Sequence, residues 1–529
     1  MSKRPQSGPP QRGGPAMGSP RVMVDEPSPR VQAARGLWDA GRRSDAIALF
    51  AEAMRQEPDN VRAYVMAARA YSERFDFSRM EEVHEQLVRR APRHPGVHHY
   101  IGETFGLLKM SDQAIASYQR AAQLPGAGPP TGMELASNYE RAHRLDEARE
   151  MIERTVSSGF DMPLVDLVRA RVQRRLKQTA DAEASYRKVI ERAGDESEWA
   201  CQAWGELALM KDAQEDYAGA VECIERCKHT QRRHEGRHWT AAQRLHGQVR
   251  ELIATISRAD FARWRTEAEQ LPPCRTALLT GFPRSGTTLL EQVLDAHPQL
   301  VSSEERDFIG QEFFYASLRG RLDAALLPAI NELSIAQIEK DRQRYFQGME
   351  YLLGQPIGPR MHLDKNPAYN LTIPFMLRAF PQTRLIVALR DPRDVILSCY
   401  LRYLPLNGVS VCFLDPRRTA ERYALDMTAW LKFRDLIETP WRQVRYEDVV
   451  SDMPGEARRT LELLDLPWDD AVLNYRDRLT ADKRVTSPSY EAVAQPVYTK
   501  AVGRWRHYAA ALEPALDILE PFVREFGYN

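Results

Sequence analysis

Two glycines five residues apart, Gly281 and Gly286, bracket the first stretch equipped for chemistry, "TALLTGFPRSGTTLLEQVLDAHP" (276–298). An apolar run ends in Gly281, and a short turn, Phe282-Pro283-Arg284-Ser285-Gly286, follows. Thr287-Thr288-Leu289-Leu290 then reads as the opening of a helix. That order places the backbone N–H groups of Ser285, Gly286, Thr287 and Thr288 at a helix N-terminus. There the helix dipole and the free donors favour a phosphate or a similar anion. The spacing is that of the nucleotide-hydrolase loop G-x-x-x-x-G-K-[ST], but Thr287 stands where that loop needs lysine. Arg284 is the nearby cation instead. The stretch is either a damaged nucleotide loop or a cradle for a different anion, and a plain strand-to-helix turn has the same outline.

A second basic stretch, "RDPRDVILSCYLR" (390–402), follows the apolar run "LIVAL". Arg390 falls where a strand ends. Ser398 and Arg402, four apart on the helix expected next, face the same way. Together the three predict a second anion site with guanidinium groups for bidentate phosphate contact. A solvated, charged helix face is the alternative. Two anion sites in one domain point to a nucleotide with phosphates at both ends.

Both stretches need a sheet to hold them. From Pro272-Pro273 onward, short apolar runs alternate with helical stretches: "TALLTG", "RLIVALR" (384–390) and "WRQVRYEDVV" (441–450). This alternation predicts an α/β domain with a mostly parallel sheet, whose ligands collect at the carboxyl ends of the strands.

The N-terminal half follows another rule. Ala46, Met80, Ala114, Ala148 and Ala182 are each 34 residues apart, and Phe50, His84, Tyr118, Ile152 and Tyr186 follow each by four. Small residues let paired helices approach closely, and the larger side chain fills the gap between neighbouring pairs. Pro58 and Pro92 keep the same spacing and stop helices. A sixth unit at 204–226 has Ala220 38 residues after Ala182, so four residues are inserted. With Leu37, Trp38, Gly41 and Ala53, this order is similar to the tetratricopeptide pattern. It predicts a helical solenoid over 31–230 with a concave groove for a peptide or protein. A helical connector over 231–271 is expected to cap it, and the α/β domain to fill 272–529.

Composition bounds the rest. A chain of 529 residues is long enough for several domains. Lys+Arg and Asp+Glu are equal at 73, which argues against bulk nucleic-acid binding and leaves room for a local basic pocket. The six cysteines form no C-x-x-C pair, so no zinc site is expected. Residues 1–30 are rich in Pro, Gly and Ser and read as a disordered tail, without the apolar core of a signal peptide or anchor. No run approaches the ~20 apolar residues of a membrane helix, so the expected location is cytoplasmic.

Taken together, "PRSGTT" and "RDPRDVILS" resemble the paired signatures of sulfotransferases that use 3′-phosphoadenosine 5′-phosphosulfate. "PRSGTTLLEQVLDAHPQLVSSEE" (283–305) is similar to the tyrosylprotein sulfotransferase version of the loop, including the Glu-Glu pair. "LDKNP" (363–367), "VRYEDV" (444–449) and "SYEAVAQPVYTKAVGRW" (489–505) resemble that family's lysine motif, adenosine-side strand and C-terminal lid. The combination with repeats resembles a bacterial group of repeat-bearing sulfotransferases.

The resemblance implies sulfuryl transfer to an acceptor hydroxyl, without metal. It implies Glu305 as base, with Glu304 as the alternative within the pair. It implies Arg284 as the cation on the transferring group and Lys365 at the bridging oxygen. Ser489 is implied as support for the phosphosulfate, with Ser487 competing. The donor would be held by Arg284, Ser285, Gly286, Thr287, Thr288, Arg390, Ser398, Arg402 and Tyr446. Arg504, where the family has lysine, is implied to reach the 3′-phosphate. Ala492 departs from the glutamine often found before the "QP" step. A peptide tyrosine is one acceptor class implied; sugars, lipids and small phenols use the same donor. Two other readings remain at this point: a kinase or NTPase, and a repeat scaffold with an inactive nucleotide-binding domain.

Overall fold

Six helical hairpins fill the N-terminal half: α1 (Pro29–Asp39) with α2 (Arg43–Gln56), α3 (Val61–Glu73) with α4 (Phe77–Arg90), α5 (Pro95–Leu107) with α6 (Ser111–Ala122), α7 (Pro129–Arg141) with α8 (Leu145–Ser157), α9 (Pro163–Arg175) with α10 (Thr179–Ala193), and α11 (Glu198–Ala213) with α12 (Tyr217–Arg232). The computed structural model describes residues 25–318, 321–477 and 501–528. Residues 1–24 of the expected tail, Ser487, Ala492 and the expected donor contact Ser489 lie outside the described residues. The periodic positions are the buried ones: Ala46, Met80, Ala114, Ala148, Ala182 and Ala220 are all 0 % exposed. Pro58 and Pro92 stand just past the ends of α2 and α4, where a residue without an N–H interrupts no helical bond.

Each hairpin turns the same way. Gly41, Phe75, Lys109, His143, Lys177 and Glu215 all have positive φ, between 52° and 77°. They follow one another at the 34-residue spacing, and only the last step carries the four-residue insertion. In the third hairpin Met110 N–H donates to Phe105 C=O and Lys109 N–H to Gly106 C=O. These two bonds are a Schellman closure, which satisfies carbonyls the helix end leaves open. The same six-residue bond recurs from Asp76 to Tyr71, Arg144 to Tyr139 and Gln178 to Gln173.

Among the described residues the C-terminal half is built on five strands in the order β2-β3-β1-β4-β5: β1 (Thr276–Gly281), β2 (Leu300–Ser302), β3 (Met361–Lys365), β4 (Arg384–Leu389) and β5 (Trp441–Arg445). All four pairings are parallel. The central strand β1 is buried along its whole length, as a strand covered on both faces must be. Around the sheet stand α15 (Thr287–Asp295), α16 (Ile335–Leu353), α17 (Pro392–Tyr400), α18 (Pro416–Arg434) and α19 (Ala509–Glu525), after the connector helices α13 (Gly236–Thr255) and α14 (Arg258–Glu267).

Three expectations need correction. The connector does more than close the solenoid: Gln248 of α13 donates to the carbonyls of Leu322 and Ala324, and Arg422 of α18 bonds to His246. One apolar core runs from Leu167 of α9 through α13 to Tyr528. The stretch 441–450 is not all strand, because β5 stops at Arg445 and Tyr446 opens a short helix. Arg402 lies past the end of α17 rather than on it.

The solenoid rests on the sheet-bearing half at two places. Near its start, Arg74 and Arg344 both bond the fully buried carboxylate of Glu312, and the Phe75 ring meets Phe308 at 4.9 Å between centroids. Near its end, Lys228 Nζ donates to Arg402 C=O at 2.7 Å and Gln231 to Leu404 C=O at 2.7 Å.

Candidate active site

The carboxyl end of every strand contributes to one region. The loop after β1 carries 282–288, the loop after β2 carries Glu305, and β3 ends in Lys365. Arg390 follows β4, and Tyr446 follows β5. This is where an open parallel sheet binds its ligands.

The loop after β1 depends on its glycines. A Cβ on Gly281 (φ 149°) would sit 2.4 Å from the carbonyl oxygen of Ala388 on the adjacent strand. A Cβ on Gly286 (φ 93°) would sit 2.6 Å from the Tyr446 ring. Between them Arg284 takes φ 76°, a conformation that costs a residue with a side chain about 1–2 kcal/mol. Ser285, Thr287 and Thr288 are buried at the start of α15, so the loop turns its donors inward.

Three guanidinium groups converge there. Arg284 Nε donates to Ser398 Oγ at 3.2 Å, and Arg390 donates to Arg284 C=O at 3.4 Å. Burial lowers the Arg284 pKa, and the like charges of Arg402 and Arg390 lower it further. An anion among these groups relieves that repulsion. Arg390 also bonds the carbonyl of Ala501, and its Cζ stands 5.1 Å from the centre of the Tyr446 ring. Among the described residues the buried Nε of Arg390 has no hydrogen-bond partner, a donor that a phosphate oxygen would satisfy.

The acidic side of the site is an ion cluster. Lys365 is fully buried between two carboxylates, with Nζ 2.8 Å from Glu305 Oε1 and 3.1 Å from Glu291 Oε2. Ser302 Oγ donates to the other oxygen of Glu291. Burial alone would raise the Glu305 pKa, but the charges of Lys365, Lys109 and Arg284 outweigh it and the net shift is downward. Glu305 is therefore a carboxylate at neutral pH, the form that accepts a proton. Behind it, Tyr345 Oη donates to Asp364 at 2.8 Å; burial pushes the Asp364 carboxyl up to about 7.

Most of the residues expected from the sequence come together here, but not all. Arg504 bonds Asp212 of α11, with Nε at 3.0 Å, so its guanidinium is engaged by the repeats. Its neighbours tie the C-terminal segment down instead: the N–H groups of Gly503 and Trp505 donate to Asp394. Two charged groups of this cluster lay outside those expectations. Glu291 had a readable signal, an acid directly after the apolar pair Leu289-Leu290 in a helix that follows the glycine turn. Lys109 had none, since it lies in a turn of the solenoid almost two hundred residues from Glu305. Among the described residues no group of three or more His, Cys, Asp or Glu side chains could hold a metal ion, and no helix is long and apolar enough to cross a membrane.

Residues 277–470 match the model of the sulfotransferase family, and residues 37–99 match a tetratricopeptide repeat. An uncharacterized protein of Aquifex aeolicus is 26% identical over 254 residues, covering 47% of this chain and 33% of that one. Protein-tyrosine sulfotransferase A of Caenorhabditis elegans is 25% identical over 253 residues, covering 47% of this chain and 66% of that one. The match thus spans a third of the first relative's length and just under two thirds of the second's. Among solved structures, the sulfotransferase domain of the Synechococcus PCC 7002 olefin synthase is 22% identical, covering 47% of this chain and 95% of that one, with a TM-score of 0.31. The C-terminal domain is thus similar to the sulfotransferase family over 277–470, and the N-terminal half to tetratricopeptide repeats over 37–99.

Proposed function

We propose that the protein moves a sulfuryl group from 3′-phosphoadenosine 5′-phosphosulfate to an acceptor hydroxyl. The observation that carries this is the pairing of a guanidinium cluster (Arg284, Arg390, Arg402) with the Lys365-held carboxylate of Glu305 at the ends of one parallel sheet. When bound, the donor supplies a sulfur held by a weak bond to phosphate oxygen. The backbone N–H groups of 285–288 cradle the phosphosulfate end, and Arg390 and Ser398 hold the 3′-phosphate.

Glu305 accepts the acceptor's proton as the new O–S bond forms. Lys365 donates to the bridging oxygen, which keeps the electron pair of the breaking S–O bond. Arg284 steadies the sulfuryl oxygens. Preorganised cations of this kind act mainly on charge that develops in the transition state. We place the acceptor among peptides or proteins carrying a reactive hydroxyl, tyrosine included, because the repeats stand over the site.

Differential scanning with 3′,5′-adenosine bisphosphate and with ATP tests the donor site. Stabilisation by the bisphosphate is expected, and stabilisation by ATP alone would overturn the reading. A labelled-sulfate transfer screen over peptide, sugar and phenol acceptors then fixes the acceptor class.

A further inference from the structure

The six solenoid turns share one backbone but not one side chain, and the third places an ammonium group beside the transferase site. Leu108 C=O accepts a hydrogen bond from the Arg306 guanidinium, and Arg306 directly follows Glu305. That bond docks the turn 108–110 on the loop after β2. Burial lowers the pKa of the half-buried Lys109 next to it, and the charges of Glu305, Arg306, Glu304 and Lys365 also act on it. The preceding turn is docked as well, with the Phe75 ring against Phe308 and Gly348. Lys109 therefore stands on a fixed support.

We infer that Lys109 is a positioning residue of the transferase site, supplied by the repeats, and that it shares the Glu305 carboxylate with Lys365. The inference rests on the proposed reaction and deepens it. Lys365 cannot give its full charge to both Glu305 and the leaving oxygen. As Lys365 turns to the leaving oxygen, Lys109 keeps Glu305 ionised and aimed at the acceptor. The groups around Glu305 that bear on this are Glu304 and Arg306 on its own loop, Lys365 on β3, Glu291 on α15 and Arg284 on the loop after β1.

Glycine is the natural test residue, because position 109 has φ 56°, which glycine adopts without steric cost. K109G should fold at least as well as the parent and bind 3′,5′-adenosine bisphosphate within about twofold of it. Its kcat should fall by about 10–100-fold with little change in the donor KM, of the order expected for a misaimed base. The acid limb of its pH–rate profile should move to higher pH, and K109R should restore most of the loss. An unchanged profile and kcat in K109G would overturn the inference. A readout independent of turnover is the double-mutant cycle of K109G with E305Q on unfolding stability. Non-additive effects are expected, and additivity would count against the link. If the parent protein neither binds the bisphosphate nor transfers sulfate, the functional reading fails, and the cycle still decides whether Lys109 and Glu305 are coupled.

Discussion

In the proposed reaction Glu305 and Arg390 carry separable tasks. Glu305→Ala should leave bisphosphate binding intact and lower turnover by about 10²–10⁴-fold, the range for removing a general base; calorimetry and single-turnover transfer check the two halves. Arg390→Ala should do the reverse at the binding step. Loss of a charged hydrogen bond of about 1.5–3 kcal/mol corresponds to about 10–100-fold weaker bisphosphate binding. The downward shift of Glu305 fixes its pH behaviour. Its pKa lies below the ordinary 4.5 because Lys365, Lys109 and Arg284 outweigh burial. Its contribution to stability is therefore present above 4.5 and is lost as pH falls through the depressed value. The Glu305-dependent limb of the pH–rate profile should accordingly lie below pH 4.5 in the wild type. At this scale the local spacing of glycines and strand ends named Arg284 and Arg390, and the resemblance of "LDKNP" named Lys365. Glu291 and Lys109 escaped because ion pairing is set by where separate segments meet.

Short elements do the positioning, and glycine sets two of the contacts. Gly286→Ala should forfeit bisphosphate binding, since φ 93° disfavours a side chain and the added Cβ would overlap Tyr446. Strain of about 1–3 kcal/mol is expected at such a position, read as a lower melting temperature alongside the lost binding. The repeats were legible to the residue: the small and large side chains that keep the 34-residue spacing are buried in the hairpins. Strands β1 and β4 were also legible, as apolar runs bounded by Gly281 and Arg390. β2 was not, because three residues carry too little pattern. Tyr446 was misassigned to a strand because β-propensity does not mark where pairing ends.

For the whole molecule, the decisive feature is that the solenoid and the sheet-bearing half are packed together rather than tethered. Glu312 is fully buried and bonds Arg74 of the solenoid and Arg344 of α16. Glu312→Ala leaves two guanidinium groups facing each other without their anion. It should destabilise the fold by about 3–5 kcal/mol, seen as a lower denaturation midpoint and faster proteolytic release of the first hairpins. The sequence by itself determined two architectures, an order of motifs and the chemistry of an anion site, because helix period, turn chemistry and strand-end cations are local properties. Only the tertiary structure decided that the solenoid docks through Leu108 on the loop of Arg306, that Arg504 is held by Asp212, and that the charges of Lys109 and Glu305 act on each other. Those relations join residues up to three hundred positions apart. They follow from the packing of one apolar core and a few buried ion pairs, which no local pattern encodes.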